Sequence, residues 1–400
     1  MTAPPAGPLR GVRVLDLGHT VMGPTAGLVL ADMGAEVIHV EPPGGDRTRG
    51  LQGFGRGFFA YYNRNKKSLA VDLKTEAGRA IFLALADRAD VVLENFAPDT
   101  MDRLGLGWQT LHARNPRLIY LALKGFLRGP YADRAALDEV AQMMGGLAYM
   151  TGPPGRPLRA GASVVDNLGG LFGALGVVAA LRERDRTGEG ELVRSSLFES
   201  VVFLMGQFMA YSALMRGPVP PMSARHQAWA IYEVFDTKEG EQVFFGITSD
   251  QHWQAFCRAF ERPDLASDES LATNNQRVEA RERLRPVVAA ILGARTAAEI
   301  ERLAVAYKLP FAPVAKPEDL FAHPHLTAGG HLLETQLEPD VRAALPALPL
   351  EVGAWTAQKY ADPPAVGADT REVLAGLGYD GAAIAALVEG GVVHVAGDAD

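Results

Sequence analysis

The stretch GVRVLDLGHTVMGPTAGLVLADMGAEVIHVE, residues 11–41, changes its period twice. Residues 11–18 are a short apolar run with glycine at each end, which reads as a buried strand. From Gly23 the pattern turns helical. Pro24 stands at a helix-start position, Leu28, Val29 and Met33 recur at helical spacing, and Gly34 is placed to stop the helix. Residues 35–41 read as a second strand, so the stretch is one β-α-β unit in the roughly 30 residues such a unit needs. Working outward, KSLAVDL (67–73), ADVVLEN (89–95) and PRLIYLAL (116–123) predict further strands, around a helix over EAGRAIFLALADR (76–88). Strands alternating with helices predict the α/β class, with a parallel, doubly wound sheet.

Four hundred residues exceed what one core organises, so two domains are expected. A large domain is expected over 1–214, with a long helix from about 167 to 185 and a second from about 195 to 215. MRGPVPPMSARH marks a linker at 215–226. A smaller α+β domain over 227–325 opens with a hairpin, AIYEVFDTKEGEQVFFGIT, turning on KEG at 238–240, followed by helices from 250 to 308. Residues 326–400 are expected to be linker, proline-rich extended chain and a final helix pair in DTREVLAGLGYDGAAIAALVEGG (369–391).

With 48% hydrophobic and 22% charged residues the composition is that of a soluble globular protein. A net charge of −8 excludes holding nucleic acid through the overall field. Cys257 is the only cysteine, so no disulfide framework and no cysteine-rich metal site is expected. The pairs His226/His252 and His323/His325 lack the spacing and accompanying acid of a zinc motif, so no metal is expected. The chain start lacks a signal-type apolar region, and no unbroken apolar run approaches membrane-spanning length. The expectation is a cytoplasmic protein without a membrane partner.

Three constellations carry chemistry. Glu41 ends the second strand, where an acid can hold a ribose, but GHTVMG is not the dinucleotide-binding G-x-G-x-x-G, and sheet packing explains the unit equally. Between 47 and 74 lie Arg47, Arg49, Arg56, Arg64, Lys66, Lys67 and Lys74 against a single acid, Asp72. This run suits phosphates, with the aromatics of GFFAYYN (57–63) available to a flat ring, or else is a solvated surface. In AGASVVDNLGG (160–170), Asp166 precedes a helical run. It is either the helix cap or a carboxylate nucleophile, kept ionised by the helix terminus and approached over Gly161, Gly169 and Gly170.

Together these segments resemble the class III CoA-transferases, the CaiB/BaiF family, over nearly the whole chain. The resemblance rests on GVRVLDLGHTVMGP, LADMGAEVIHVEPPGGDRTR, NRNKKSLAVDLKTEAG, ADVVLENFAPDTMDRLGLGW, NPRLIYLALKGF, GASVVDNLGGLFGALGVVAALRERDRTGEGE and GADTREVLAGLGY. It implies a Rossmann-like large domain, completed by the C-terminal tail, plus a smaller α+β domain, in an interlocked homodimer. It also implies CoA and acyl-CoA as substrates, with no permanently bound cofactor. The family's catalytic aspartate falls on Asp166, and its CoA contacts fall on Val21, Met22, Val71, Lys74, Asn95, Phe96 and Arg103. A basic residue common after the second strand is Pro42 here, so phosphate contacts are expected to shift to Arg47 or another member of the basic run. A family histidine in the tail is Asp369, and an assisting acid aligns with Asp138, beside Glu139.

α-Methylacyl-CoA racemases share this fold and are the alternative activity. Their proton-transferring histidine would fall at Leu137, which cannot take a proton. The segment LKGF…RAALDEVAQMMGGLAYMTGPPGRPLRAG resembles the branch acting on C4–C5 dicarboxylates of the mesaconate, citramalate and succinate kind. Arg134, Arg156, Arg159, Arg225 and His226 are the candidate cations for a second carboxylate.

Overall fold

The computed structural model describes residues 7–225 and 228–397, so His226 lies outside the described residues. The chain forms two compact units. One takes the residues up to Ala224 and from Pro324 onward, and the other is Arg225–His323.

The larger unit opens with β1 (Arg13–Leu17), α1 (Met22–Asp32), β2 (Glu36–Glu41), α2 (Phe58–Tyr62), β3 (Lys66–Val71) and α3 (Glu76–Ala86). It continues with β4 (Val91–Glu94), α4 (Thr100–Arg103), α5 (Trp108–Arg114), β5 (Ile119–Lys124), α6 (Asp138–Met144) and α7 (Leu147–Thr151). Then follow α8 (Val164–Thr187), β6 (Leu192–Ser196) and α9 (Leu197–Met215). Beyond these the chain passes through the smaller unit, residues 225–323. After the return come α15 (Pro324–Ala328), the hairpin β10 (Leu332–Glu338) and β11 (Val341–Pro346), and a short ladder of β12 (Glu351–Val352) and β13 (Trp355–Thr356). The chain closes with α16 (Thr370–Gly376), α17 (Gly381–Glu389) and β14 (Val393–His394).

The main sheet runs β14-β3-β2-β1-β4-β5-β6, parallel except for β14, which pairs antiparallel with β3. Apolar side chains leave both faces of the strands and are covered on both, giving two cores. The chain winds from β1 to β3 on one side and restarts at β4 beside β1 on the other. That reversal opens a crevice beyond the carboxyl ends of β1 and β4, where such sheets bind ligands.

Helix α8 lies against this sheet and α1. A Cβ on Gly170 would come 2.6 Å from the Met22 carbonyl oxygen, and one on Gly169 would come 2.5 Å from Met22 Cε. Gly170 therefore serves close helix packing rather than clearing room for a ligand, contrary to the sequence expectation, whereas Gly169 meets the flexible end of Met22. Only Gly161 of the three has open space around its Cβ position. Both α8 and α9 are long and apolar enough to cross a membrane. On α9, Phe203, Met209 and Leu214 are exposed, as is Leu175 on α8.

The smaller unit contains β7 (Ile231–Asp236), β8 (Gln242–Ile247), α10 (Asp250–Ala259), α11 (Pro263–Ala266), α12 (Asn274–Glu279), α13 (Arg281–Gly293), α14 (Ala297–Tyr307) and β9 (Phe311–Pro313). β8 pairs antiparallel with both β7 and β9. The turn between β7 and β8 has Gly240 at φ +81°, the left-handed conformation glycine adopts without strain. Trp253, Phe245, Phe256 and Phe260 fill this unit's own core.

The helix expected from about 195 to 215 is α9, which starts at Leu197, but the strand β6 just before it was not expected, because Arg194 and two serines break its apolar pattern at the open edge of the sheet. The tail, read as extended chain, contains the β10–β11 hairpin, whose half-buried strands lack a strong apolar alternation.

Candidate active site

Asp166 sits in the first turn of α8, three residues past Ser163, whose side chain makes no capping bond. The cap comes from elsewhere in the chain. Asp138, at the start of α6, accepts the backbone N–H groups of Val165 and Asp166 on its Oδ2, at 2.9 and 3.0 Å. Its Oδ1 accepts from Gln142 Nε2 at 2.5 Å, and Gln142 in turn accepts the Ala160 N–H at 2.8 Å. The helix terminus is thus spent on Asp138 and does not hold Asp166 ionised. Burial, with the Asp138 charge alongside, pushes the Asp166 carboxyl up to about 7, against a weaker opposing pull from Arg159.

The neighbouring residues hold this arrangement. Arg159 binds Glu139 at 3.0 Å, stands 3.6 Å from Asp138, and donates to the carbonyls of Ala160 and Ala162. Next to Asp166, Asn167 accepts the Tyr62 hydroxyl at 3.0 Å and the Thr25 hydroxyl at 3.2 Å, and donates to the Ser163 carbonyl. Tyr62, Thr25 and Asn167 were not marked by sequence. The only signal was the clustering of aromatics in residues 57–63. Tyr62 packs here with Val21 and Leu28, and Phe59 lies under Arg49 at 3.6 Å, so both are structural.

Asp166 opens into a cavity of about 270 Å³ that is also lined by Val21, Met22, Asn95, Phe96, Arg134 and Asp138. The loop after β1 is bolted to the loop after β4 by a reciprocal pair: the His19 N–H donates to Asn95 Oδ1, and Asn95 Nδ2 donates to the His19 carbonyl, both at 2.9 Å. His19 stacks on Phe96 with centroids 5.5 Å apart. Burial lowers the His19 pKa, against the raising pull of Asp46 and Asp16. A second cavity of about 390 Å³ shares His19, Thr20 and Phe96 with the first and extends over the ends of β1 and β2. A third, of about 680 Å³, adjoins the first through Pro98, Lys124 and Ala132.

Four of the seven expected CoA contacts, Val21, Met22, Asn95 and Phe96, therefore line one cavity with Asp166. The other three lie apart. Val71 is buried and pairs with Val393, Lys74 is exposed after β3, and Arg103 is exposed on α4 with a bond to the Thr100 hydroxyl.

The basic run is mostly structural. Lys66 is fully buried and binds Asp16 at 2.8 Å, Asn63 Oδ1 at 2.9 Å and the Pro24 carbonyl at 3.2 Å. Arg64 binds buried Asp32 at 2.6 Å, Arg49 grips Glu41, Lys67 bridges Glu36 and Glu372, and Arg56 binds Glu338. Glu41, considered above for a ribose, instead accepts from Arg49, the Ser68 hydroxyl and the Asp46 N–H. Asp369 accepts the Ser68 N–H at 2.8 Å and so ties the tail to β3. Among the described residues no group of three potential metal ligands occurs.

A sequence profile described as CoA-transferase family III matches residues 9–370. Succinyl-CoA–D-citramalate CoA-transferase of Chloroflexus aurantiacus is 35% identical, over 93% of this chain and 94% of its own length. Succinyl-CoA:mesaconate CoA-transferase of Haloarcula hispanica is 36% identical, over 80% of this chain and 83% of its own. The crystal structure of a CAIB/BAIF family protein from Brucella suis superposes with a TM-score of 0.82 at 30% identity, covering 93% of this chain and 99% of that one.

Proposed function

The chain belongs to CoA-transferase family III, and we propose that it moves CoA between C4–C5 dicarboxylic acids through a covalent intermediate on Asp166. One observation carries the reading: a carboxyl raised to about 7 opens into the cavity formed by Val21, Met22, Asn95 and Phe96. A carboxylate stripped of water and crowded by a second charge is a stronger nucleophile than a solvated one.

In the first step an Asp166 oxygen attacks the thioester carbonyl carbon, the C–S bond breaks, and CoA leaves as thiolate. The thiolate then attacks the Asp166 carbonyl of the mixed anhydride. This forms an aspartyl-CoA thioester and releases the first acid as carboxylate. The acceptor carboxylate attacks that thioester, and the same two steps run in reverse. Asp138 and Arg159 act as positioning residues that hold the first turn of α8 and the 159–163 segment. Leu137 lines the cavity where the racemase reading needs an imidazole, which favours transfer over racemisation.

The second carboxylate of the substrate is assigned to Arg134. Its guanidinium lies 5.4 Å from the Tyr131 ring, lines the Asp166 cavity, and has no ion pair among the described residues. Arg159 is saturated, Arg156 is exposed outside the cavity lining, and Arg225 belongs to the smaller unit, where it donates to the Tyr232 carbonyl. The exposed apolar side chains of α8 and α9 support a second copy of the chain as the partner.

Purified protein given succinyl-CoA or mesaconyl-CoA with free dicarboxylates should exchange CoA, followed by chromatography. Arg134→Ala should weaken dicarboxylate acceptors about tenfold or more, since a charged hydrogen bond is lost. Absence of exchange with any dicarboxylate would overturn the substrate. Solvent deuterium at the α-carbon without an acceptor would favour the racemase. Hydroxylamine should inactivate only after exposure to acyl-CoA, when an aspartyl ester-like species exists to trap.

The pH dependence has a defined sign. Below about pH 7 the resting Asp166 carboxyl is protonated, so kcat/KM for acyl-CoA should fall towards acid with a midpoint near 7 and level off above it. Asp138→Asn removes the neighbouring charge while keeping an oxygen acceptor for the two N–H groups. It should move that midpoint to lower pH. A wild-type midpoint near the ordinary carboxylate value of about 3.9 would contradict the raised Asp166.

A further inference from the structure

We infer that Lys124, acting through Glu94, is a positioning residue that holds the turn after β4 in the shape that receives the CoA thioester. It rests on the CoA-transferase reading and adds to it a residue outside the expected contacts.

Lys124 ends β5 and lines both the Asp166 cavity and the 680 Å³ cavity beside it, a place that suits a cation for a substrate carboxylate. Its donors decide otherwise. An ammonium has three N–H bonds to give, and Lys124 Nζ meets three acceptors: Glu94 Oε1 at 2.7 Å, Glu94 Oε2 at 2.8 Å and the Phe96 carbonyl at 2.9 Å. Glu94 is buried at the end of β4, and its Oε2 also accepts the Phe96 N–H at 2.9 Å. Both backbone polar groups of Phe96 are therefore held by one ion pair. Burial raises the Glu94 pKa, and Lys124 gives the largest pull against that rise.

The turn so held is the one whose Asn95 and Phe96 line the Asp166 cavity. It is fixed from two sides. Asn95 exchanges two bonds with the His19 backbone on the β1 side, and Lys124 reaches it from β5 on the other. In the sheet β4 lies between β1 and β5, so the turn is tied to both neighbours of its own strand. Loss of Lys124 frees the Phe96 carbonyl while the His19 pair still holds Asn95. An incoming thioester must then order that peptide itself, and the cost appears as weaker binding.

Lys124→Met alone would leave Glu94 a buried charge without its cation. The informative variant is therefore Lys124→Met combined with Glu94→Gln, whose side-chain carbonyl keeps an acceptor for the Phe96 N–H. Titration calorimetry with CoA on the folded full chain should show binding about three- to tenfold weaker in this double variant. In turnover, KM for acyl-CoA should rise by the same factor while KM for the free dicarboxylate keeps its wild-type value. The pH midpoint should stay where burial, Asp138 and Arg159 set it. A lower melting temperature with unchanged CoA affinity would make the pair purely structural and overturn the inference. So would a raised dicarboxylate KM with unchanged CoA affinity, which would make Lys124 a substrate ligand. Wild type that binds CoA but transfers none would overturn the transferase reading, and the calorimetric comparison would still decide the role of Lys124.

Discussion

Asp166→Ala should abolish CoA transfer, by a factor of ~10⁴ or more, because loss of a covalent nucleophile removes the intermediate and not merely a contact. The same variant should be no less stable than wild type. Asp166 receives no side-chain hydrogen bond among the described residues, and its charge is opposed by burial and by Asp138. Its folded pKa of about 7 lies above the ordinary 3.8, so its favourable protonated state is fully present below pH 3.8 and lost as pH rises through 7. A shift of that size corresponds to at most about 4 kcal/mol of strain above neutrality, which alanine relieves. Denaturation at pH 8 and light scattering complete the test. Surviving transfer would remove Asp166 as nucleophile. A mass of one chain for wild type would remove the homodimer.

The second large effect is on stability. Lys66→Met should destabilise the larger unit by about 3–5 kcal/mol, because it leaves the Asp16 carboxylate buried without its cation. The surroundings cannot relax to admit water easily: a Cβ on Gly27 would already stand 2.2 Å from Asp16 Oδ2. Asp16 Oδ1 also accepts the Gly18 N–H at 2.7 Å, so the pair anchors the loop that leads through Val21 into α1. Adding Asp16→Asn to Lys66→Met should recover much of the loss by removing the orphaned charge. Urea unfolding followed by a probe in the larger unit measures both. A Lys66→Met loss below about 1 kcal/mol would show that the pair is not a buried charge couple.

The strands of the parallel sheet were legible because β1, β2 and β4 are buried on both faces and read as apolar runs. Asp166 was legible as one acid amid small residues, but its pKa was not. Burial raises it first and the Asp138 charge adds to that; burial is set by the packed fold, and Asp138 lies 28 residues earlier and reaches the helix terminus only through tertiary folding. The basic run misled for the same reason. Lys66, Arg64 and Arg49 neutralise Asp16, Asp32 and Glu41, residues from β1, α1 and β2 that the linear pattern does not place beside them.

β14 gives the order of synthesis a structural consequence. Its pairing with β3 joins Val393 to Val71, and α16 adds a bond from the Ala70 N–H to the Thr370 hydroxyl. While the chain is still emerging from the ribosome, β3 is an unpaired sheet edge for some 300 residues of translation, as the sequence separation of that bond shows. Every residue of the smaller unit is made in that interval. The larger unit thus completes its sheet only once the segment carrying β14 has been made, and until then β3 is an open edge exposed to mispairing.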